Sequence, residues 1–257
     1  MTYLVICTVA LLASCLTFFS GFGLGTLLLP AFALFVPVEQ AIAMTAVVHL
    51  LNGLFKLVLV GRHVDRSTLL RFGVPAVVAA IVGASALQGL AHLEPVFSHA
   101  AFGRPVAVTP VKLVVGLLLA IFATIELVPG LRERRFPPRW MPVGGLLSGF
   151  FGGLSGMQGA LRSAFLLRGH LSKQTFIATG VASAVLIDVS RLGIYARSVG
   201  ASAGSLDLTL LGSAVLAAFA GAYLGNQWLD KVTLPLLQKL VAVALFAMAA
   251  GLVTGLL

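Results

Sequence analysis

One stretch constrains this chain more than any other. Residues 141–196 read MPVGGLLSGFFGGLSGMQGALRSAFLLRGHLSKQTFIATGVASAVLIDVSRLGIYA, apolar enough to lie in a membrane. Gly144, Gly145, Gly149, Gly152, Gly153, Gly156 and Gly159 interrupt it, and Arg162, Asp188 and Arg191 lie inside it. A broken helix exposes backbone groups, which survive at membrane depth only if buried in protein or lining a wet cavity. Charges in hydrocarbon are costly and by default mark a site.

Composition extends this to the whole chain. Its 257 residues are 59% hydrophobic and 10% charged, against about 25% charged in an average soluble domain. The expected class is an all-α integral membrane protein in a lipid bilayer. Its place is a cell membrane, the inner one if the source is a Gram-negative bacterium. The net charge of +9 sits largely in short loops, the usual orienting bias of membrane proteins, and no nucleic-acid motif accompanies it. Cys7 and Cys15 share one apolar segment without metal-ligand spacing, so neither metal nor cofactor is expected. The first segment lacks a basic n-region and is not read as a signal peptide.

In chain order, 2–19 is apolar, Ser20-Gly21-Phe22-Gly23-Leu24-Gly25 breaks it, and 26–36 is too short to span. Spans follow at 38–61, 67–90 and 111–128, with a mixed loop at 92–110. Residues 132–139 form the most basic linker. The second half then repeats the first. Ser148-Gly149-Phe150-Phe151-Gly152-Gly153 resembles Ser20 to Gly25; residues 38–45 parallel 172–179; Lys56 with Arg62 parallels Arg191 with Arg197; 73–88 parallels 212–226; and 234–257 parallels 111–128. The expected organisation is a membrane repeat at 1–130, a basic cytoplasmic linker at 131–139 and a second repeat at 140–257. Each repeat is a glycine-broken helix or re-entrant hairpin, with helix breaks at Gly21, Gly23, Gly25, Gly152, Gly153 and Gly156, followed by three transmembrane helices. With the basic loops 61–71 and 131–139 inside and each hairpin returning to its starting side, the two repeats are inverted and the termini face outward. Counting each hairpin as an odd number of crossings makes them parallel instead.

With these motifs laid out, the sequence resembles the TauE/SafE sulfite exporter family over nearly its whole length. The resemblance rests on Ser20 to Gly25 followed by Pro30, on Ala43-Met44-Thr45, and on Gly149-Phe150-Phe151-Gly152-Gly153-Leu154-Ser155-Gly156. Further on it rests on Ala178-Thr179-Gly180, Asp188 to Tyr195, and Gly221-Ala222-Tyr223-Leu224-Gly225. It implies secondary transport of a small sulfur-containing or organic anion, such as sulfite or a sulfonate. The run Met157-Gln158-Gly159-Ala160-Leu161-Arg162-Ser163 departs from the glycine and proline that usually continue this motif in the family, and implies a subgroup with its own polar site.

The candidate substrate-binding residues are Arg162, Arg191, Lys56, Gln158, Ser155, Ser163 and Asn52. Arg162 follows a glycine break in the early turns of a short helix, where unpaired N–H groups attract anions; the bland reading pairs it with a carboxylate as a helix lock. Asp188 and Arg191 are three apart on one face, either a local ion pair or a substrate contact beside a coupling residue, the coupling ion being a proton or sodium. Lys56 either snorkels to the interface or shares the cavity, with Asn52 one turn away. His49 reads as a packed histidine with one hydrogen bond. Lys56, Arg162 and Arg191 against Asp188 leave two positive charges, which suits an anion. The alternative to a secondary transporter is an anion channel of the same fold. A membrane enzyme ranks below both, since no His-Glu-x-x-His, triad or P-loop is present.

Overall fold

The computed structural model describes residues 1–20, 24–101, 104–128, 130, 136–166, 171–202, 207–227 and 235–257. Ten helices and one hairpin are found among them. The first half holds α1 (Thr2–Ser20), α2 (Leu24–Ala33), α3 (Val38–Val60), α4 (Arg66–Ala91) and α5 (Pro110–Leu127). The second holds α6 (Met141–Ser155), α7 (Gly159–Leu166), α8 (Lys173–Ser202), α9 (Leu208–Gln227) and α10 (Pro235–Val253). Segments 38–63, 66–91, 173–196 and 208–227 are long and apolar enough to cross a membrane. Val58, Leu70, Leu117 and Leu216 are exposed on the outside of the bundle, an apolar surface suited to lipid.

Local chemistry sets the boundaries. Asp65 caps α4, accepting from the Thr68 amide at 2.7 Å. Thr109 caps α5 before Pro110, where the missing N–H costs nothing. Asp207 caps α9, accepting from the Leu210 amide and from the Tyr3 hydroxyl, each at 2.9 Å; these bonds hold its carboxyl below the ordinary carboxylate range. The stretch 92–110 is not a plain loop. Phe97–Ala101 (β1) and Arg104–Val108 (β2) pair antiparallel, with Phe97 opposite Val108.

The glycines of α6 pack rather than break. Gly152 and Gly153, expected as helix breaks, lie inside an uninterrupted α6. A Cβ on Gly145, Gly149 or Gly153 would fall 2.1–2.2 Å from the carbonyl oxygens of Phe72, Ala76 and Ala80 on α4. The two backbones touch along a four-residue repeat on both helices, the small-residue packing that membrane helices favour. Since the register advances in step, α4 and α6 run parallel. The break comes at Gly156, whose φ of +80° ends α6 in the left-handed conformation that glycine adopts without steric cost. Gly25 is the second residue of α2, and Gly21 and Gly23 lie outside the described residues.

After Gly156 the chain turns back. Phe136, ahead of α6, donates its amide to the carbonyl of Ala164 near the end of α7, and Phe136 stacks on Phe165 at 4.3 Å. Gly144 makes room for the Phe165 ring. The α6–α7 pair therefore ends on the side where it began. The Asp65 amide donates to Thr179 Oγ1 at 2.9 Å, which places the start of α8 on that side as well.

One offset of 135 residues relates the halves: the end of α1 to the end of α6 (20 to 155), the starts of α2 and α3 to those of α7 and α8 (24 to 159, 38 to 173), and Lys56 to Arg191. The counterpart of Ser20-Gly21 is thus Ser155-Gly156, not Ser148-Gly149. Packing follows the same exchange. α4 lies against α6, and its counterpart α9 lies against α1, where Gly221 meets the Leu11 carbonyl. The counterparts α3 and α8 cross antiparallel: His49 meets Asp188, Gly53 meets Val185, and Val60 clusters with Ile177 and Ala178. α5 and α10 also run antiparallel: Gly116 lies against Ala249 and Leu252, while Gly255, after α10, meets Val106 and Val108, before α5.

Gly149→Leu and Gly153→Leu are expected to abolish folding or lower the melting temperature of purified protein sharply, since the clash is with backbone. Gly89→Ala is the control: a Cβ there meets nothing within 4 Å, and it is expected to be neutral or stabilising by up to about 1 kcal/mol. Wild-type melting of folded Gly149→Leu protein contradicts the packing assignment.

Candidate polar site at the α6–α7 break

Four of the proposed residues form one chain of contacts. Arg162, in α7, donates through Nη1 to Gln158 Oε1 at 3.2 Å. Gln158, between α6 and α7, reaches Asp188 Oδ1 through Nε2 at 3.4 Å. Arg191 donates through Nε to the same oxygen at 2.9 Å. The three-residue spacing puts Asp188 and Arg191 on one face of α8. Both are fully buried, and Gln158 and Arg162 nearly so. Lys56, Arg162, Asp188 and Arg191 are the buried charged side chains among the described residues, so cations exceed the carboxylate in number.

The break itself is shaped around Arg191. A Cβ on Gly156 would lie 2.6 Å from Arg191 Nη1, so only glycine lets the guanidinium approach the turn. Arg191 Nη2 stands 2.8 Å from Asp188 Oδ1. Neither terminal nitrogen has a well-aligned hydrogen bond among the described residues.

Other expected residues surround this chain. Lys56 is buried, within electrostatic reach of Arg162; it points inward rather than snorkelling. Asn52 lies one turn before it on α3, buried, and accepts from Ser14 Oγ at 3.1 Å. Ser155 is buried but bonds back to the Phe151 carbonyl at 3.0 Å, closing the last turn of α6. Ser163 is buried on α7. Ser148, not singled out from sequence, donates to the Gln158 carbonyl at 3.1 Å and fixes the turn.

Two further residues, which the sequence did not connect to it, join the network. His49 has the single hydrogen bond expected of it, but the partner is Asp188: Nδ1 lies 2.5 Å from Oδ2. No spacing signals a contact across 139 positions. Tyr195 donates its hydroxyl to the Gly153 carbonyl, one of the orphan acceptors at the end of α6. Its seven-residue spacing from Asp188, two helical turns, was a visible signal that it shares that face. No group of three His, Cys, Asp or Glu side chains is placed to hold a metal ion among the described residues.

Removing Asp188 strands Arg191. Asp188→Asn is expected to cost about 3–5 kcal/mol, read as a lower melting temperature in detergent. Asp188→Asn combined with Arg191→Gln is expected to recover most of the loss. A single mutant as stable as wild type contradicts this pairing.

The comparisons with known proteins bear on the whole chain. Neither curated proteins nor solved structures give a match. The family model described as sulfite exporter TauE/SafE matches residues 6–252, nearly the full length of the broken-helix bundle and every residue of the polar site. The chain belongs to the sulfite exporter TauE/SafE family.

Proposed function

We propose that this protein is a secondary transporter that exports a small sulfur-containing or organic anion, such as sulfite or a sulfonate, across the cell membrane. Membership of a transporter family gives the class of activity. The observation that carries the anion reading is the buried guanidinium of Arg191, whose terminal nitrogens lack well-aligned hydrogen bonds where α6 breaks. Arg162 is tied to it through Gln158 and Asp188, and Lys56 lies near Arg162. A planar guanidinium fork matches an oxyanion, and Lys56, Arg162 and Arg191 against the one buried carboxylate leave positive charge for it to balance.

Alternating access needs two units that move against each other. The reading of inverted repeats is supported by the 135-residue offset, by the antiparallel crossing of counterpart helices, and by the return of α6–α7 to its own side. The burial of the charged groups among the described residues favours a transporter, which occludes its substrate, over a channel. Coupling to an ion gradient belongs to this proposal.

Two measurements follow. Calorimetric titration of sulfite and sulfonates into monodisperse protein is expected to show Arg162→Lys weakened and Arg162→Ala weaker still, by about ten- to a hundred-fold. Unchanged affinity in both Arg162→Ala and Arg191→Ala removes the site. A topology reporter at the C-terminus is expected to read outside; cytoplasmic activity there excludes the inverted arrangement.

A further inference from the structure

His49 takes no part in the anion contacts proposed above, yet it makes the shortest polar contact to Asp188. Its imidazole keeps 15% of its side-chain surface accessible, whereas Asp188 keeps none. The contact also joins α3 of the first half to α8 of the second. An ionised carboxylate only accepts hydrogen bonds, so Nδ1 donates in this contact and the ring's lone pair stays on Nε2. That nitrogen is where an additional proton goes. Imidazole is the side chain best suited to carrying protons near neutral pH.

The surroundings fix the sign of the effect. Titratable or charged groups on the elements packed against α3 are Lys173, Asp188, Arg191, Tyr195 and Arg197 on α8, Tyr223 on α9, Lys112 and Glu126 on α5, and Arg62 and His63 in the turn after α3. Glu39 and Lys56 lie on α3 itself, Arg162 lies nearby on α7, and α2 bears none. A Cβ on Gly25 of α2 would sit only 3.8 Å from the ring's Cδ2. In the buried core the cations outnumber the single carboxylate, and a negative charge arriving beside them favours a proton on the ring. An anion seated beside Arg191 and Arg162 supplies that charge. Each of the two ligands then raises the affinity for the other by the same factor, as linkage requires.

We infer that His49 is the proton-coupling residue: Nε2 takes up one proton from water as the anion binds and releases it as the anion leaves, so the two travel together. This rests on the anion-site reading of the preceding section. It goes further in naming the coupling ion as a proton and placing it on the imidazole rather than on Asp188.

The test is calorimetric titration of sulfite into full-length wild type and His49→Asn, in buffers of different ionisation enthalpy, which counts protons exchanged per anion. The asparagine amide keeps a donor near the Nδ1 position and removes the titrating ring. Sulfite's own proton exchange is common to both proteins, so the difference reports the ring. Wild type is expected to take up more protons than His49→Asn, by a fraction approaching one. It is also expected to bind sulfite about five-fold or more tightly than the variant at acidic pH. His49→Gln serves as a second variant should His49→Asn fail to fold. Equal proton counts in wild type and a variant that still binds sulfite overturn the inference and leave the anion site standing. A difference that persists in the His49 variants but vanishes in Asp188→Asn also overturns it, moving the proton to the carboxylate. Failure of wild type to bind sulfite overturns the anion reading and this inference with it.

Discussion

A carboxylate buried away from water must be satisfied entirely by the protein, and the architecture of the polar core follows from how Asp188 is satisfied. Its oxygens are met by Arg191 from the same helix, by Gln158 from the break between α6 and α7, and by His49 from α3. Three separate elements are thereby referred to one point. Arg191 approaches the break only because Gly156 is glycine in a left-handed conformation. The break is held by Tyr195 on the Gly153 carbonyl and by Ser148 on the Gln158 carbonyl. The helix end and the ion pair thus support each other, as buried polar networks do when their members are connected.

Close packing makes this placement possible. α6 can come against α4 at backbone distance because three glycines four residues apart meet three carbonyl oxygens with the same spacing. In a bilayer there is no hydrophobic driving force between helices, so this contact and the polar network carry the association. The asymmetry of the site is equally physical. The offset that pairs Lys56 with Arg191 pairs Asp188 with Gly53 and Arg162 with Leu27. The scaffold is shared by the two halves, while most of the charge has been placed in one of them.

Much of the fold was legible in the sequence. Apolar runs placed α3, α4 and α5 within a residue or two, since a bilayer fixes helix length. The offset of 135 residues was already present in the pairing of Lys56 with Arg191, but the glycine motif was matched seven residues too early. Ser-Gly occurs at 148–149 and again at 155–156, and only the second pair stands at the break. A glycine that admits a neighbouring backbone and a glycine that turns the chain look alike in a sequence; they differ in φ, which only Gly156 reveals in that stretch. The buried charged residues Lys56, Arg162, Asp188 and Arg191 stood out because charge in hydrocarbon is rare. His49 was noticed but not connected, because its partner lies on another helix in the other half. Lys56 read as a snorkelling candidate because its distance from Gly61 says nothing about which way it points.

The account depends most on the buried cations serving a moving anion rather than locking helices. Sulfite efflux from vesicles reconstituted with purified protein measures this directly. The account predicts flux that saturates with sulfite concentration, and its loss in Arg162→Ala protein that melts and elutes like wild type. Flux no greater than in protein-free vesicles, or equal flux in that folded variant, contradicts it.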